Sequence, residues 1–384
     1  MDITIQPRSL RGEITVIPSK SQAHRLLICA AFANGPTKLH CPETNRDIEA
    51  TVDCLNALGA DIQRTSTGYT VLPAAKIPAQ ATLNCCESGS TLRFLLPVAG
   101  ALGVDATFLM EGRLPQRPLS PLWEEMERMG CRLSRPTANT IRCEGKLRPG
   151  HYSIDGSVSS QYITGLLFAT ALLEGDSQIT ITGKLESKPY VDMTKQALKR
   201  FDAPNLHTPG HIQVEGDWSN GAFFVTANAL GSDLTIHGLN PDSVQGDRTV
   251  VDILKQITSC MPTVSAADIP DLVPILSVAA AANQGAIFTD IQRLRLKESD
   301  RVATTIEMIT SLGGKAEATA DTLTIHGTGL TGGCVSSHND HRIAMATAIA
   351  STVCTEPVTI LGAEAVNKSY PQFWKEFTRL GGKL

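Results

Sequence analysis

The tetrapeptide Asn339-Asp340-His341-Arg342 places three titratable side chains directly before residues 343–353, a segment without charge. A helix that is apolar on every side belongs in a core, so its polar first turn must lie at the edge of that core. The first N–H groups of a helix lack partners within it and lie at the positive end of its dipole. A cationic side chain beside such a helix start favours the binding of phosphate or carboxylate.

Four further apolar segments begin in the same way. The polar residues are Ser19-Lys20-Ser21 with Arg25, Glu87-Ser88-Gly89-Ser90-Thr91 with Arg93, Ser159-Ser160-Gln161, and Asp271. The apolar segments that follow them are residues 26–33, 94–102, 162–173 and 272–282. Each start alone would have an ordinary explanation, because serine and aspartate are common helix caps. Capping does not predict lysine or arginine beside nearly every buried helix, so the set predicts a receptor for small anions.

The composition is that of a globular chain, with 384 residues of which 42% are hydrophobic and 19% charged. This length is enough for two domains. A formal net charge of -4 argues against a general binder of polyanions, which carries a basic surface. The sequence opens without a signal-peptide pattern, its apolar segments are shorter than the roughly 20 residues of a membrane span, and its cysteines follow no disulfide or zinc spacing. We therefore expect a cytoplasmic protein with reduced thiols that binds neither nucleic acid nor membrane.

A turn of the type Leu-Gly-Ala recurs after amphipathic segments, with its glycine at positions 59, 130, 313 and 381, and in degraded form at residues 201–203. Glycine suits the residue after a helix, where a left-handed conformation lets the chain leave as a strand. Together with a sixth apolar segment at residues 222–230, the recurrence predicts six units of strand, buried helix, strand, amphipathic helix and hairpin. The predicted fold class is α/β, in two lobes of three units each.

The chain is expected to cross from one lobe to the other near residues 215–217. The first lobe is predicted to span residues 14–215, and the second residues 1–13 together with 216–384. Residues 2–6 are assigned as a strand of the second lobe, because the last unit ends where its hairpin should begin. One unit is short, since only 12 residues, 257–268, precede Ile269. That length is too small for the hairpin and strand of the other units.

Eight motifs, in order and over nearly the whole chain, resemble those of the 5-enolpyruvylshikimate-3-phosphate synthase family. They are Pro18-Ser19-Lys20-Ser21 with His24-Arg25, Glu87-Ser88-Gly89-Ser90-Thr91-Leu92-Arg93-Phe94, Gln116-Arg117-Pro118, Gly156-Ser157-Val158-Ser159-Ser160-Gln161, Ser187-Lys188-Pro189-Tyr190, Ile269-Pro270-Asp271, Arg295-Leu296-Lys297-Glu298-Ser299-Asp300-Arg301 and Asn339-Asp340-His341-Arg342. Any one of them would be a weak signal, whereas eight in order are specific. The resemblance implies two inside-out α/β barrel lobes of βαβαββ-type repeats, with the active site in the cleft between the lobes.

The resemblance also implies a reaction. Members of the family transfer the enolpyruvyl group of phosphoenolpyruvate to the 5-hydroxyl of 3-phosphoshikimate and release phosphate, a step of the shikimate pathway to chorismate and the aromatic amino acids. No metal and no organic cofactor is implied, and the expected partners are these two small molecules, bound to a monomer. They bring two phosphates and two carboxylates together, so cationic side chains must dominate the site.

Roles for individual residues are carried over from the matching motifs. For 3-phosphoshikimate the resemblance implies Ser159, Ser160 and Ser187 at the phosphate, Ser21, Arg25, Asp271 and Lys297 at the ring hydroxyls and carboxylate, with Gln161 and Tyr190 nearby. For phosphoenolpyruvate it implies Lys20, Gly89, Arg117, Gln161, Arg301, Arg342 and Lys368, with Arg93 as a further candidate. Arginine suits this task because it forms paired hydrogen bonds to carboxylate and phosphate.

Four residues are expected to take part in the chemistry. Addition of the hydroxyl to the enol carbon requires a base at the hydroxyl and an acid at the methylene, and collapse of the adduct reverses part of this proton transfer. The resemblance implies Asp271 as the base, Glu298 and Lys20 as candidates for protonation of the methylene, and His341 as a further polar contributor. The assignment among Asp271, Glu298 and Lys20 stays open, because their pKa values depend on the distances between them.

One residue departs from the common family pattern. Glu87 stands where many members have asparagine, beside the phosphoenolpyruvate site. A carboxylate there must be turned away, paired or partly protonated, since it would otherwise repel the ligand. Arg93 or Arg117 is the expected neutralising partner.

Two alternative functions are compatible with the same fold. UDP-N-acetylglucosamine enolpyruvyl transferases have asparagine after the lysine of the first motif and a cysteine in a mobile loop. Here Lys20 is followed by Ser21, and the corresponding residues 111–117 contain no cysteine. The second alternative is a catalytically silent anion-binding protein, which the presence of Lys20, Asp271 and Glu298 disfavours.

Overall fold

The computed structural model describes the whole chain, residues 1–384. The strands are, in chain order, β1 (Ile3–Ile5), β2 (Arg11–Thr15), β3 (Thr37–His40), β4 (Asp61–Thr65), β5 (Gly68–Leu72), β6 (Gln80–Asn84), β7 (Asp105–Leu109), β8 (Cys131–Ser134), β9 (Thr140–Gly145), β10 (His151–Asp155), β11 (Gln178–Thr182), β12 (His211–Gln213), β13 (Asp233–His237), β14 (Thr263–Ser265), β15 (Gly285–Thr289), β16 (Lys315–Ala318), β17 (Thr322–His326), β18 (Gly333–Ser336) and β19 (Val358–Leu361). The α-helices are α1 (Lys20–Ala31), α2 (Arg46–Ala57), α3 (Gly89–Leu102), α4 (Leu122–Arg128), α5 (Ser160–Leu172), α6 (Lys188–Arg200), α7 (Trp218–Ala229), α8 (Val250–Ser259), α9 (Val273–Ala282), α10 (Arg301–Ser311), α11 (His341–Ala350) and α12 (Phe373–Arg379). Short 3₁₀ segments cover Leu114–Gln116, Gly246–Thr249, Gln292–Leu296 and Ala363–Lys368.

The chain forms two compact lobes. The first lobe is Pro18–Val214, and the second is Met1–Ile17 together with Glu215–Leu384. The sequence-based boundary at residue 14 falls inside β2, which pairs in parallel with β13. Because this pairing fixes β2 to the C-terminal half, the boundary lies after Ile17. Each lobe has its own hydrophobic core.

The first lobe contains one complete unit of the predicted type. Strand β6 leads through α3 to the parallel strand β7, and α4 then leads to the hairpin β8–β9, which completes a sheet of order β6-β7-β9-β8. A second sheet has the order β12-β3-β5-β4, and β10 pairs only with β11. The expectation of a hairpin after α6 is wrong. The single strand β12 follows instead, and it pairs in parallel with β3 of the first unit.

The second lobe repeats this architecture with an edge strand from the N-terminus. Its sheets have the orders β14-β15-β17-β16, β13-β2 and β1-β19-β18. The predicted pairing of residues 2–6 in this lobe is confirmed, since β1 runs antiparallel to β19 and Gln6 bridges to Lys383. After α8 the chain enters β14 without a hairpin, as predicted. The expectation that the strand would also be lost is wrong, because three residues suffice for pairing with β15.

Six helices form the centres of the two cores, namely α1, α3 and α5 in the first lobe and α7, α9 and α11 in the second. All ten residues of α11 are buried. Four consecutive alanines in α9 leave space for the close packing of α11 on it. None of the helices combines the length and the apolar character that crossing a bilayer requires.

Side-chain caps fix the polar starts of five of these helices, α9 being the exception. Ser19, Ser88, Ser159, Asp217 and Asp340 each accept a hydrogen bond from a backbone N–H in the first turn of the helix that follows. Such a cap contributes about 1 kcal/mol to helix stability. The capping explanation is therefore correct for these residues. It leaves unexplained the lysine and arginine side chains that lie beside them.

Candidate active site

Asp271 of the second lobe is surrounded by three cationic side chains. Arg301 Nη1 lies 2.5 Å from Asp271 Oδ1, and Lys297 Nζ lies 3.7 Å from the same oxygen. Arg342 Nη2 lies 3.5 Å from the other carboxylate oxygen, Oδ2. Asp271 follows Pro270 just before α9, Arg301 begins α10, and Arg342 lies in the first turn of α11. Three helix starts thus bring Asp271, Arg301 and Arg342 together.

Arg301 links this group to two further carboxylates. Its Nη2 lies 2.7 Å from Glu298 Oε2, and its Nε lies 2.9 Å from Asp340 Oδ2. Only 1% of the Arg301 side chain is exposed, and Asp340 is fully buried. Burial alone would lower the pKa of Arg301, but Asp340, Glu298 and Asp271 together hold it well above its usual value. Arg301 therefore stays charged and fixes the positions of three acidic side chains.

The cations control the protonation of Asp271. Burial alone would raise its pKa, but Lys297, Arg301 and Arg342 together hold the pKa well below the usual range for aspartate. Burial also lowers the pKa of Lys297 to about 8, although the charge of Asp271 opposes this effect. Asp271 is ionised at neutral pH, while Lys297 can exchange a proton slightly above it.

The two remaining candidates of the second lobe lie at or near α11. His341 is the first residue of the helix and is buried. Lys368 ends the 3₁₀ segment Ala363–Lys368, which packs against α11. Both therefore belong to the same region of the lobe as Arg342.

In the first lobe, two guanidinium groups converge on Gly89. A Cβ atom built on Gly89 would lie 2.6 Å from Arg93 Nη1 and 2.7 Å from Arg117 Nη1. Gln161 Oε1 accepts a hydrogen bond from Arg93 Nη1 at 3.0 Å, and Gln161 Nε2 donates to Ser90 Oγ at 3.0 Å. Arg117 Nε is buried and has no hydrogen-bond partner. The start of α3 thus presents two cations, with unused donor capacity, over a residue that lacks a side chain.

The predicted serines lie at the starts of α5 and α6. Ser159 caps α5, and Ser160, the first residue of that helix, is buried. Ser187 precedes α6 with a φ of 55°, in the left-handed region that residues other than glycine rarely adopt. Such strain is commonly retained where a side chain must be held in a functional position.

Arg25 has an internal role that the sequence did not indicate. Its Nη1 donates to the carbonyl of Ser21 at 2.7 Å, its Nη2 to the carbonyl of Tyr190 at 2.9 Å, and its Nε to Thr194 Oγ1 at 2.9 Å. The side chain is buried, which lowers its pKa to about 10. Arg25 therefore ties α1 to α6 and positions two residues that were predicted to bind 3-phosphoshikimate.

Lys20 and Glu87 each have a contact that sequence reasoning missed. Lys20 Nζ lies 2.8 Å from Asp47 Oδ2 in the first turn of α2. A Cβ atom built on Gly112 would lie 2.8 Å from Glu87 Oε2, so this carboxylate lies against the loop that contains Gly112. No spacing in the sequence relates these residues, because both contacts join separate elements.

A family model described as EPSP synthase (3-phosphoshikimate 1-carboxyvinyltransferase) matches residues 5–377. The chain belongs to the EPSP synthase family. It is therefore a transferase that acts in enolpyruvyl transfer in the shikimate pathway, and the sequence-based prediction of family and reaction is confirmed.

Individual members of the EPSP synthase family match along their whole length. The 3-phosphoshikimate 1-carboxyvinyltransferase of Clostridium kluyveri is 38% identical over 416 aligned residues, covering 100% of this chain and 98% of the relative. That of Clostridioides difficile is 36% identical, with coverage of 100% and 98%. The solved structure of EPSP synthase from Acinetobacter baumannii is similar with a TM-score of 0.80 at 25% identity, covering 99% of this chain and 98% of that one. The predicted α/β fold is thereby confirmed.

Proposed function

We propose that the chain transfers the enolpyruvyl group of phosphoenolpyruvate to 3-phosphoshikimate with the residues described above. The observation that carries this proposal is the group of three cations around Asp271, which places a proton acceptor beside side chains suited to bind anions. The guanidinium pair at Gly89 supplies a second anion receptor. Both groups lie at starts of buried helices, where backbone N–H groups also favour anions.

For 3-phosphoshikimate, Ser159, Ser160 and Ser187 bind the phosphate, and Gln161 lies beside it. Their support is the concentration of hydroxyl and N–H groups at the starts of α5 and α6. Ser21, Arg25, Tyr190, Lys297 and Asp271 bind the ring hydroxyls and carboxylate. Arg25 also holds Ser21 and Tyr190 in place.

For phosphoenolpyruvate, the ligands are Lys20, Gly89, Arg117, Gln161, Arg301, Arg342 and Lys368, with Arg93 beside Gly89. The absence of a side chain at Gly89 lets an anionic group approach Arg93 and Arg117 closely. Arg342 supplies further donor capacity, since its Nε is buried without a partner. An anion that accepts these hydrogen bonds would satisfy polar atoms that are otherwise costly to bury.

Asp271 accepts the proton of the attacking hydroxyl. Three cations make it a weak base in the free protein. Substrate anions that bind Arg301 and Arg342 share the charge of these cations, so the pKa of Asp271 rises toward its usual range. The hydroxyl oxygen then bonds to the central enol carbon, and Glu298 or Lys20 protonates the methylene. Loss of phosphate and of a methyl proton completes the transfer.

The test is release of inorganic phosphate from a mixture of protein, phosphoenolpyruvate and 3-phosphoshikimate. A parallel mixture contains UDP-N-acetylglucosamine as the acceptor. We expect phosphate only in the first mixture, and we expect Lys20→Met to weaken both binding and turnover. Phosphate release only in the second mixture would favour the alternative acceptor. Binding without release in either mixture would favour a silent anion-binding protein.

The compartment and the assembly state belong to the same proposal. We place the protein in the cytoplasm, supported by ten cysteines that are all free thiols, as is usual in reducing compartments. We also propose that it acts as a monomer, since each lobe encloses a core of its own. Sedimentation velocity at enzyme concentrations spanning two decades tests the second point.

A further inference from the structure

A fourth carboxylate of the second lobe, Asp247, lies beside the proposed site but outside the eight motifs quoted above. Asp247 is part of the 3₁₀ segment Gly246–Thr249, and only 2% of it is exposed. Its Oδ2 is hydrogen-bonded to the hydroxyl of Ser219. Its Oδ1 is buried without a hydrogen-bond partner. A buried carboxylate with a single neutral partner is expensive to keep ionised.

Ser219 connects Asp247 to Arg342. Ser219 lies in the first turn of α7, and its carbonyl oxygen accepts a hydrogen bond from Arg342 Nη1 at 2.8 Å. The other terminal nitrogen of Arg342, Nη2, lies 3.5 Å from Asp271. The orientation of the guanidinium therefore depends on the position of the Ser219 carbonyl.

The ion pairs around Arg342 are formed without Asp247. Lys297, Arg301 and Arg342 face Asp271, Glu298 and Asp340, which gives three cations and three anions. An ionised Asp247 would add a negative charge whose hydrogen-bond partner is the neutral hydroxyl of Ser219.

Several groups act on the protonation of Asp247. Burial raises its pKa to about 7, and the nearby Asp271 adds to this effect. The hydrogen bond from Ser219 and the charge of Arg342 oppose it, while Asp217 at the cap of α7 raises the pKa further. Asp247 therefore changes charge near neutral pH.

We propose that Asp247 is a positioning residue for phosphoenolpyruvate binding, acting through Ser219 on the guanidinium of Arg342. This inference rests on the proposed role of Arg342 as a ligand of that substrate. Neutral Asp247 holds the first turn of α7 and leaves the site free of excess negative charge. Ionised Asp247 weakens binding of the anionic substrate, so affinity for phosphoenolpyruvate falls as the pH rises through neutrality.

The test compares the full-length enzyme with Asp247→Asn, Asp247→Ala and Ser219→Ala. The asparagine imitates the neutral acid, whereas alanine removes every contact with Ser219. Asp252→Asn is a matched control, because Asp252 lies nearby on α8, is exposed and pairs only with Lys255. The kcat and the KM for each substrate are measured from pH 6 to pH 9. The KM ratio of wild type to Asp247→Asn cancels the titration of the substrate phosphate, whose second ionisation falls near pH 6.

We expect Asp247→Ala and Ser219→Ala to raise the KM for phosphoenolpyruvate, by about tenfold for the former, as for a disturbed hydrogen bond to a charged group. The KM for 3-phosphoshikimate and the kcat should change less than about threefold. For Asp247→Asn the KM for phosphoenolpyruvate should stay near the wild-type value at pH 6. Above pH 7 the wild-type KM should rise further than that of Asp247→Asn, because asparagine does not ionise. The control should match wild type throughout.

Two outcomes would overturn the inference. One is an unchanged KM for phosphoenolpyruvate in Asp247→Ala, and the other is the same pH dependence in Asp247→Asn as in wild type. If the alanine variant does not fold, as judged by circular dichroism, the asparagine variant alone decides through its pH profile. An Arg342→Lys variant tests separately whether Arg342 binds phosphoenolpyruvate. If the KM of this variant for phosphoenolpyruvate is unchanged, the proposed site is wrong. If that KM rises while the Asp247 variants behave like wild type, only the role of Asp247 is wrong.

Discussion

Arg301 Nη1 lies 2.5 Å from Asp271 Oδ1, and the same guanidinium also contacts Glu298 and Asp340. One buried cation thus sets the positions of three carboxylates that differ in their exposure to solvent. The Asp340 side chain is fully buried, whereas those of Asp271 and Glu298 remain partly exposed. The arrangement allows a structural ion pair and the proposed acid–base groups to share one arginine.

Replacement of Asp271 by asparagine should separate binding from turnover. The substitution removes a proton acceptor but little volume, so kcat should fall by about 100-fold or more while each KM changes by only a few fold. Phosphate release measures kcat, and calorimetric titration with 3-phosphoshikimate measures binding. Wild-type turnover by this variant would remove Asp271 from the role of base.

Replacement of Asp340 by alanine should destabilise the second lobe. It leaves the buried Arg301 without a main counter-charge, which costs about 3–5 kcal/mol of unfolding free energy. Ser299→Ala removes only the hydroxyl that donates to Asp340 at 2.9 Å and should cost about 1 kcal/mol. Urea unfolding in a Trp123→Phe background lets the remaining tryptophans report on the second lobe. Equal losses in the two variants would argue against a structural role for the ion pair.

The buried helices were predictable from sequence because a long segment of apolar residues without charge indicates burial by itself. The prediction of residues 162–173 for α5, observed at Ser160–Leu172, is an example. The partners of the charged residues were not predictable. Lys20 pairs with Asp47, and Arg301 with Asp340, across elements whose packing no local spacing reveals.

The hairpins and Asp247 show two further limits of the sequence. The repeat predicted a hairpin after α6, but the single strand β12 follows α6 and pairs in parallel with β3 at the edge of the sheet β12-β3-β5-β4. Asp247 gave no signal because a lone aspartate in a polar segment usually faces solvent. Its burial results from the packing of α7 and the 3₁₀ segment around it.

A methyl group at Gly89 should weaken binding of phosphoenolpyruvate. In Gly89→Ala the Cβ would lie within 2.7 Å of both Arg93 and Arg117, so the guanidinium groups must shift. Weaker hydrogen bonds to a charged ligand raise the KM for phosphoenolpyruvate about tenfold. The KM for 3-phosphoshikimate, measured in the same assays, should change less than about twofold. Equal increases in both values would indicate a general disturbance of the lobe.

His24 should make the first lobe sensitive to acid. Burial lowers its pKa to about 3 from an ordinary value of 6.5, and its Nδ1 lies 2.7 Å from Thr51 Oγ1. The unfolded chain therefore binds a proton that the folded protein excludes, and stability is lost as the pH falls below 6.5. Between pH 7 and pH 5 this loss amounts to about 2 kcal/mol. His24→Gln, which retains a hydrogen-bonding side chain, should show a correspondingly smaller loss in urea unfolding, and an equal loss in both proteins would contradict the assignment.

Lys297 should limit 3-phosphoshikimate binding at alkaline pH. Burial lowers its pKa to about 8, so the cation is present below this value and is lost above it. If Lys297 binds the acceptor as a cation, the KM for 3-phosphoshikimate rises as the pH passes 8, well above the second ionisation of a phosphate near pH 6. Lys297→Arg keeps its charge over this range and should move the rise beyond pH 9, even where the longer side chain raises the KM at every pH. The measurement is the KM profile from pH 7 to pH 9.5 for both proteins, and superimposable alkaline limbs would show that another group titrates.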